Sequence, residues 1–183
     1  VGSEVCIRDS LGGGVVHAIG TGGRDLSDKV GAITVKDAIV ALENHEPTDV
    51  ICVISKPPAK EVRDEVVQLL QSISKPVVAI FLGEKPEAHE GKVYLAHTLE
   101  ETAQIAVDLA NEEAVKRNYF TKLDKPNVST LDKDKVVKGL YSGGTLAAEA
   151  GMLISEALNL EGLVKQEGYI LHSHGYDVID LGL

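Results

Sequence analysis

Aromatic side chains are scarce in this chain: only 4% of its 183 residues are Phe or Tyr, and there is no Trp. Its core must therefore be built from Val, Ile, Leu and Ala, a composition that suits parallel strands covered by helices. Only two cysteines are present, Cys6 and Cys52. They supply neither a disulfide framework nor a metal-ligand spacing, which fits a reducing compartment. Cys52 lies inside the apolar run at residues 50–54 and reads as a buried small hydrophobe. No apolar run approaches the roughly 20 residues that a membrane-spanning helix needs. No signal-peptide pattern is present either, so the expected location is the cytoplasm, with no membrane partner. Positive charge is also short. Lys and Arg number 18 against 28 Asp and Glu, for a net charge of -10. Nucleic acid or an anionic membrane would be repelled over most of such a surface, so neither is expected as a partner. Any phosphate-bearing ligand has to be held locally, by backbone amides and a few cations.

What the chain does have is an alternation of short apolar runs with amphipathic segments, the signature of βαβ units. Residues 15–19 read as a first strand. Thr34-Val-Lys-Asp37 reads as a capping pair ahead of a helix whose Val35, Ala38, Ile39 and Leu42 share one face. Residues 49–54 form a second strand. Pro58 then suits the first turn of a helix that turns Val62, Val66, Leu69, Leu70 and Ile73 inward and Lys60, Arg63, Asp64 and Gln68 outward. Residues 75–83 read as a buried third strand and 92–96 as a fourth. Thr98-Leu-Glu-Glu101 caps the helix that follows. The stretch at 118–134 has no sustained period and reads as a linker. Beyond it, residues 136–141 read as a strand, 142–145 as a glycine turn and 146–158 as an Ala-rich helix. The expected domains are thus a flavodoxin-like α/β open parallel sheet at 14–117 and an incomplete second α/β domain at 135–183. Residues 1–13 are set aside, because Val5-Cys-Ile-Arg-Asp-Ser10 resembles the translation of a transposon end used in sequencing libraries. On that reading the first ten or so residues are not biological sequence.

Three loops stand where a strand ends and a helix begins, the edge of an open parallel sheet at which ligands bind. The first runs from the strand at 15–19 through Gly20, Thr21, Gly22, Gly23, Arg24 and Asp25. Glycines allow successive amides to turn toward one anion, and the helix behind adds its N-terminal partial charge. The second carries Ser55 and Lys56, and the third Gly143, Gly144 and Thr145. Arg24 and Lys56 offer formal charge, while Asp25 is either part of the anion site or a first-turn cap that makes the loop rigid. Among the histidines, His17 reads as a core or sheet-face residue, and His45 and His89 as solvated loop residues. His97 sits at the ligand edge, between a strand and the Thr98 cap. His172 and His174 bracket Ser173 but show too few companions for a metal, and no metal site is expected. Neither a Gly-x-Ser-x-Gly elbow nor a complete Walker loop is present. No catalytic residue is identified.

Five collinear motifs resemble the FdrA family, a branch of the succinyl-CoA synthetase superfamily. They are His17-Ala-Ile-Gly-Thr-Gly-Gly-Arg-Asp-Leu-Ser27, Val53-Ile-Ser-Lys-Pro-Pro58, Lys75-Pro-Val-Val-Ala-Ile-Phe-Leu-Gly83, Gly139-Leu-Tyr-Ser-Gly-Gly-Thr-Leu-Ala-Ala-Glu149 and Val178-Ile-Asp-Leu-Gly182. The resemblance implies a fragment that a CoA-binding domain precedes and that stops short of a further motif. It also implies acyl-CoA synthetase-type chemistry on a small anionic substrate, CoA or a nucleotide in the full-length protein, and a homo- or hetero-oligomer. The superfamily's phosphohistidine context, Gly-His-Ala-Gly, is missing, and Ser55 stands where those synthetases place an acidic residue. The resemblance therefore favours carbamoyl or acyl phosphate chemistry, such as oxamate carbamoyl transfer in purine and ureide breakdown. An NDP-forming acyl-CoA ligase and a non-catalytic scaffold subunit are the alternatives.

Overall fold

A computed structural model describes residues 12–115, 135–160 and 168–182. The chain divides into two compact units, Val1–Phe120 and Thr121–Leu183. Most of the stretch set aside at 1–13, including Cys6, and the expected linker at 118–134 lie outside the described residues.

The first unit contains helix α1 (Ile33–Glu43), strand β1 (Ile51–Ser55), helix α2 (Lys60–Ser72), strands β2 (Val77–Phe81) and β3 (Val93–Ala96), and helix α3 (Leu99–Ala110). The strands form a parallel sheet in the order β1-β2-β3, with Ser55 beside Phe81 and Ile80 beside Ala96. All three strands therefore end at one edge. Central β2 is buried along its whole length, as an unbroken Val-Val-Ala-Ile-Phe run requires of a strand covered on both faces. Val77, Ala79 and Phe81 meet Val35, Ile39, Val62, Val66 and Leu70 from α1 and α2. Successive strand side chains point to opposite faces, so α3, which packs on the same strands, covers the face of Val78 and Ile80. This is the flavodoxin-like α/β arrangement of an open parallel sheet between helices. Cys52 is only partly buried, on a strand whose alternate residues are the better covered.

The structure corrects several details. Residues 15–19 are not a strand, and Val16 and Ile19 are 56% and 50% exposed. An apolar run becomes a strand only when a neighbour pairs with its backbone, and among the described residues β1 pairs with β2 alone. Thr34 does not cap α1; the N-cap is Ala32, in the left-handed conformation at φ 57° with no side-chain cap of its own. Pro58 stands ahead of α2, whose N-cap is Ala59. Arg63 is turned inward rather than outward, with a side chain only 13% exposed. The Thr98 cap does form: its Oγ1 accepts from Glu101 N at 3.1 Å, while the Glu101 carboxylate reaches back to His97 N at 2.6 Å.

The second unit holds strand β4 (Lys138–Tyr141), helix α4 (Gly144–Leu158) and strands β5 (Tyr169–Ser173) and β6 (Tyr176–Asp180). Its sheet order is β4-β6-β5, with β4 parallel and β5 antiparallel to β6. The β5–β6 hairpin escaped the sequence reading. Its two-residue turn is His174-Gly175, with φ at 49° and 86°, the doubly positive geometry of a type I′ turn. The core is small: Ala147, Leu171 and Val178, flanked by Tyr141, Ile154 and Tyr176.

Candidate functional site

The 20–25 loop reaches the N-terminus of α1 at the edge where the strands end. Gly22 adopts φ +77°, and its carbonyl accepts from Asp25 N at 3.3 Å to close a turn. Gly22, Gly23 and Arg24 are exposed, and a Cβ added to either glycine would meet nothing within 4 Å. The backbone of the turn is thus open to an approaching group. Gly20 is exposed as well, and Thr21 is half-buried.

Asp25 fixes this turn. Its side chain is buried, and its two carboxylate oxygens accept from Thr34 N at 3.1 Å and Val35 N at 2.8 Å. The carboxylate thereby supplies, from nine residues upstream, the cap that Ala32 cannot. Burial pushes the Asp25 pKa upward, but the amides of Val35 and Thr34 and the nearby Lys36 ammonium outweigh it, so the group titrates below the usual carboxylate range. Of the two readings open for Asp25, the carboxylate is the cap. The Ala32 amide closes back on Asp25 O at 2.8 Å, and Leu26 O accepts from Ala59 N, the N-cap of α2, at 3.3 Å. One turn is therefore tied to the first turns of two helices, and at α1 the Asp25 carboxylate itself takes the first-turn amides that otherwise favour an anion.

The Ser55–Lys56 loop belongs to the same unit. Ser55 is buried, and its hydroxyl donates to Lys56 O at 2.5 Å, so it braces the loop. Lys56 is exposed, like Arg24. In the second unit Gly143 is the N-cap of α4 in an extended conformation, with no side-chain cap bond, and Gly144 and Thr145 form the first turn. A Cβ added to Gly143 would meet nothing within 4 Å, but the end of β6 packs closely on the preceding Ser142. A Cβ on Gly182 would stand 2.8 Å from Ser142 O, and Leu181 N donates to Tyr141 O at 2.6 Å.

The histidines are placed differently from expectation. His17 is exposed, outside any strand, and its Nε2 lies 3.2 Å from that of His45. His45 is held by Thr48, and the half-buried His89 accepts from Leu95 N at 3.1 Å. His97 donates from Nδ1 to Glu84 O at 2.7 Å and stitches the start of α3 to the loop after β2. In the second unit Asp177 accepts from His172 Nδ1 at 2.7 Å and from Lys138. These three residues share one register row across β4, β6 and β5. The Lys138 and His172 hydrogen bonds hold the Asp177 carboxyl below its usual range.

A second group at the strand-end edge went unnoticed in the sequence. Arg63 pairs with Glu84 at 3.1 Å and Glu90 at 2.6 Å, and its guanidinium lies over the Phe81 ring at 5.2 Å. It lines a cleft of about 470 Å³ with Lys85, His89 and Leu95. Nothing in the helical pattern could have found it, because Arg63 sits one turn into α2 among polar residues. Only the fold brings the loop after β2 over that turn.

Comparison with known proteins finds two similarities. Residues 2–83 match the family of CoA binding domains. That match includes the 20–25 and Ser55–Lys56 loops and runs across the stretch set aside at the start. The expectation placed a CoA-binding domain ahead of these residues, whereas the match falls on the chain's own first unit. The chain is also similar to the uncharacterized protein YahF of Escherichia coli (strain K12), at 39% identity over 161 residues, covering 84% of this chain and 31% of YahF. It thus spans about a third of the length of that relative. Among the described residues, no helix is long and apolar enough to cross a membrane.

Proposed function

We propose that the first unit binds a phosphate of CoA, or of an acyl or carbamoyl phosphate, on the 20–25 turn. On this reading the protein acts in the acyl-CoA synthetase-type chemistry of the succinyl-CoA synthetase superfamily. The observation that carries the proposal is the open Gly22–Gly23 backbone, pinned by buried Asp25 to the first turn of α1. Such a turn can bring amides to an anion without rearranging when the ligand arrives, and preorganisation of that kind lowers the cost of binding. Gly22 and Gly23 would contact the phosphate, while Arg24 and Lys56 would add charge from its flanks. CoA supplies a thiol for acyl transfer when bound; the role of this chain's residues is to bind and orient. The overall charge of -10 makes that local capture necessary, since long-range attraction of an anion is absent.

The finer assignment, oxamate carbamoyl transfer with carbamoyl phosphate as product or donor, rests on the resemblance to FdrA and on the missing Gly-His-Ala-Gly. His97, the nearest counterpart of a phosphorylated histidine, is tied through its ring to Glu84 O and through its backbone to Glu101. That bracing suits a structural residue better than a swinging phosphocarrier. Calorimetric titration of the full chain with CoA, with dephospho-CoA and with carbamoyl phosphate tests the proposal. Saturable binding of at least one of them, weakened severalfold by Lys56→Ala, is expected; no heat from any of the three overturns it. The ligase reading predicts that labelled ATP phosphorylates the protein. An unlabelled protein that still binds CoA favours transfer or a scaffold role over that reading.

A further inference from the structure

The His17–His45 pair lies at the opposite end of α1 from Asp25 and takes no part in the proposed anion site. We propose that these two imidazoles chelate a divalent transition-metal ion of the zinc, nickel or copper kind. Their Nε2 atoms converge to 3.2 Å, with the rings at 63° and their centroids 4.5 Å apart. Two nitrogens bound about 2.0–2.1 Å from one tetrahedral zinc ion lie about 3.3 Å apart. The observed separation is close to that of two ligands sharing one metal and is also that of a hydrogen bond between the two imidazoles.

His45 is already oriented for this task. Its Nδ1 lies 2.9 Å from Oγ1 of the buried Thr48. A donated Nδ1–H there leaves the Nε2 lone pair facing His17, and an outer partner of this sort is what metal-bound histidines ordinarily have. Its backbone is fixed too. His45 N donates to Leu42 O at 3.2 Å, Thr48 N donates to His45 O at 3.0 Å, and Lys75 Nζ reaches the same carbonyl at 2.5 Å. The Lys75 ammonium opposes a cation here. The Glu43 carboxylate, bound to Ser74 and Lys75 N, offsets it. Among the described residues, no third His, Cys, Asp or Glu completes a cluster, so water or an added anion fills the remaining positions. Imidazole nitrogens suit zinc, copper and nickel over harder cations. No sequence motif announces the pair, because its members stand 28 residues apart and only the fold joins them. A metal bound there fastens the segment that leads, three residues later, into Gly20.

The test is titration of the full, chelator-treated chain with Zn²⁺ alone at pH 7.5, comparing wild type with His17→Ala, His45→Ala and a His172→Ala/His174→Ala control. One equivalent should bind in wild type and control, and each single variant should weaken it at least tenfold. If the variants misfold, paramagnetic broadening by sub-stoichiometric Cu²⁺ in the wild-type chain reads the same site, with the His17 and His45 imidazole signals vanishing first. A hydrogen-bonded imidazole pair only, seen as sharp signals for both rings, or zinc binding that follows His172 and His174, overturns the proposal. Neither result bears on CoA or carbamoyl phosphate binding at the other end of α1.

Discussion

The two glycine loops of this chain follow one sequence grammar, an apolar run, a glycine pair and a helix, yet they are built differently. In the first unit the run ahead of the glycines forms no strand, and the helix is capped from a distance by a buried carboxylate. In the second the run is a paired strand, β4, and the helix starts from Gly143 with no side-chain cap. Both loops are open around their glycines, Gly22 and Gly23 in the first and Gly143 in the second; what the second adds is the end of β6, packed against Ser142 at Gly182. A glycine in the first keeps a surface clear, whereas Gly182 beside the second allows two stretches of backbone to touch. The same residue type thus serves access in one unit and packing in the other.

Gly182→Ala should break the comparison most strongly. Its new Cβ would lie 2.8 Å from Ser142 O, and because the obstacle is backbone rather than a flexible side chain, relief requires β6 and the loop to separate. Overpacking of this kind costs about 1–3 kcal/mol, to be read from denaturant unfolding of the full chain. Hydrogen exchange should show the loss confined to α4 and the β4–β6 ladder. Unchanged stability would mean that the end of β6 does not pack tightly on Ser142.

Next in size is Asp25→Ala, which removes both caps from α1 and should destabilise the first unit by about 1–2 kcal/mol. Asp25→Asn keeps the shape and gives a pH test. A carboxylate whose folded pKa is depressed contributes stability that is fully present above its unfolded value, near 3.9. That contribution is lost as pH falls through the folded pKa. Wild type should therefore exceed the Asn variant in stability at neutral pH, with the difference closing as pH drops below about 4. A gap that widened in acid would contradict the capping role.

Much of this was legible beforehand. β1, β2, β3, α2 and α3 follow from apolar runs and helical periods, since burial on two faces or one leaves a pattern in the chain itself. The Thr98 cap was readable because its partners are three residues apart. The cap on α1 was legible only as one of two readings of Asp25, because Asp25 acts across nine residues and the local candidate, Thr34, lies inside the helix. Arg63 and the His17–His45 pair were hidden for the same reason: a polar residue's partners across the fold leave no period. The β5–β6 hairpin could have been found, since His174-Gly175 between alternating runs is a two-residue turn signal. Of the candidate site, the turn was visible, and the choice between the two readings of Asp25 needed the fold.

The smallest stability effect gives the sharpest comparison. Gly22 sits at φ +77°, where an L-residue pays about 1–2 kcal/mol, so Gly22→Ala should lower the stability of the first unit by about that amount. Gly23 is not in the left-handed region and has open space around its Cα, so Gly23→Ala should leave stability within about 0.5 kcal/mol of wild type. The added methyl nonetheless occupies the space through which a phosphate would reach the turn. Titration with CoA and carbamoyl phosphate should then show Gly23→Ala weakening binding at least tenfold while its unfolding curve overlays that of wild type. Equal affinity in the two proteins would mean that Gly23 serves the turn alone.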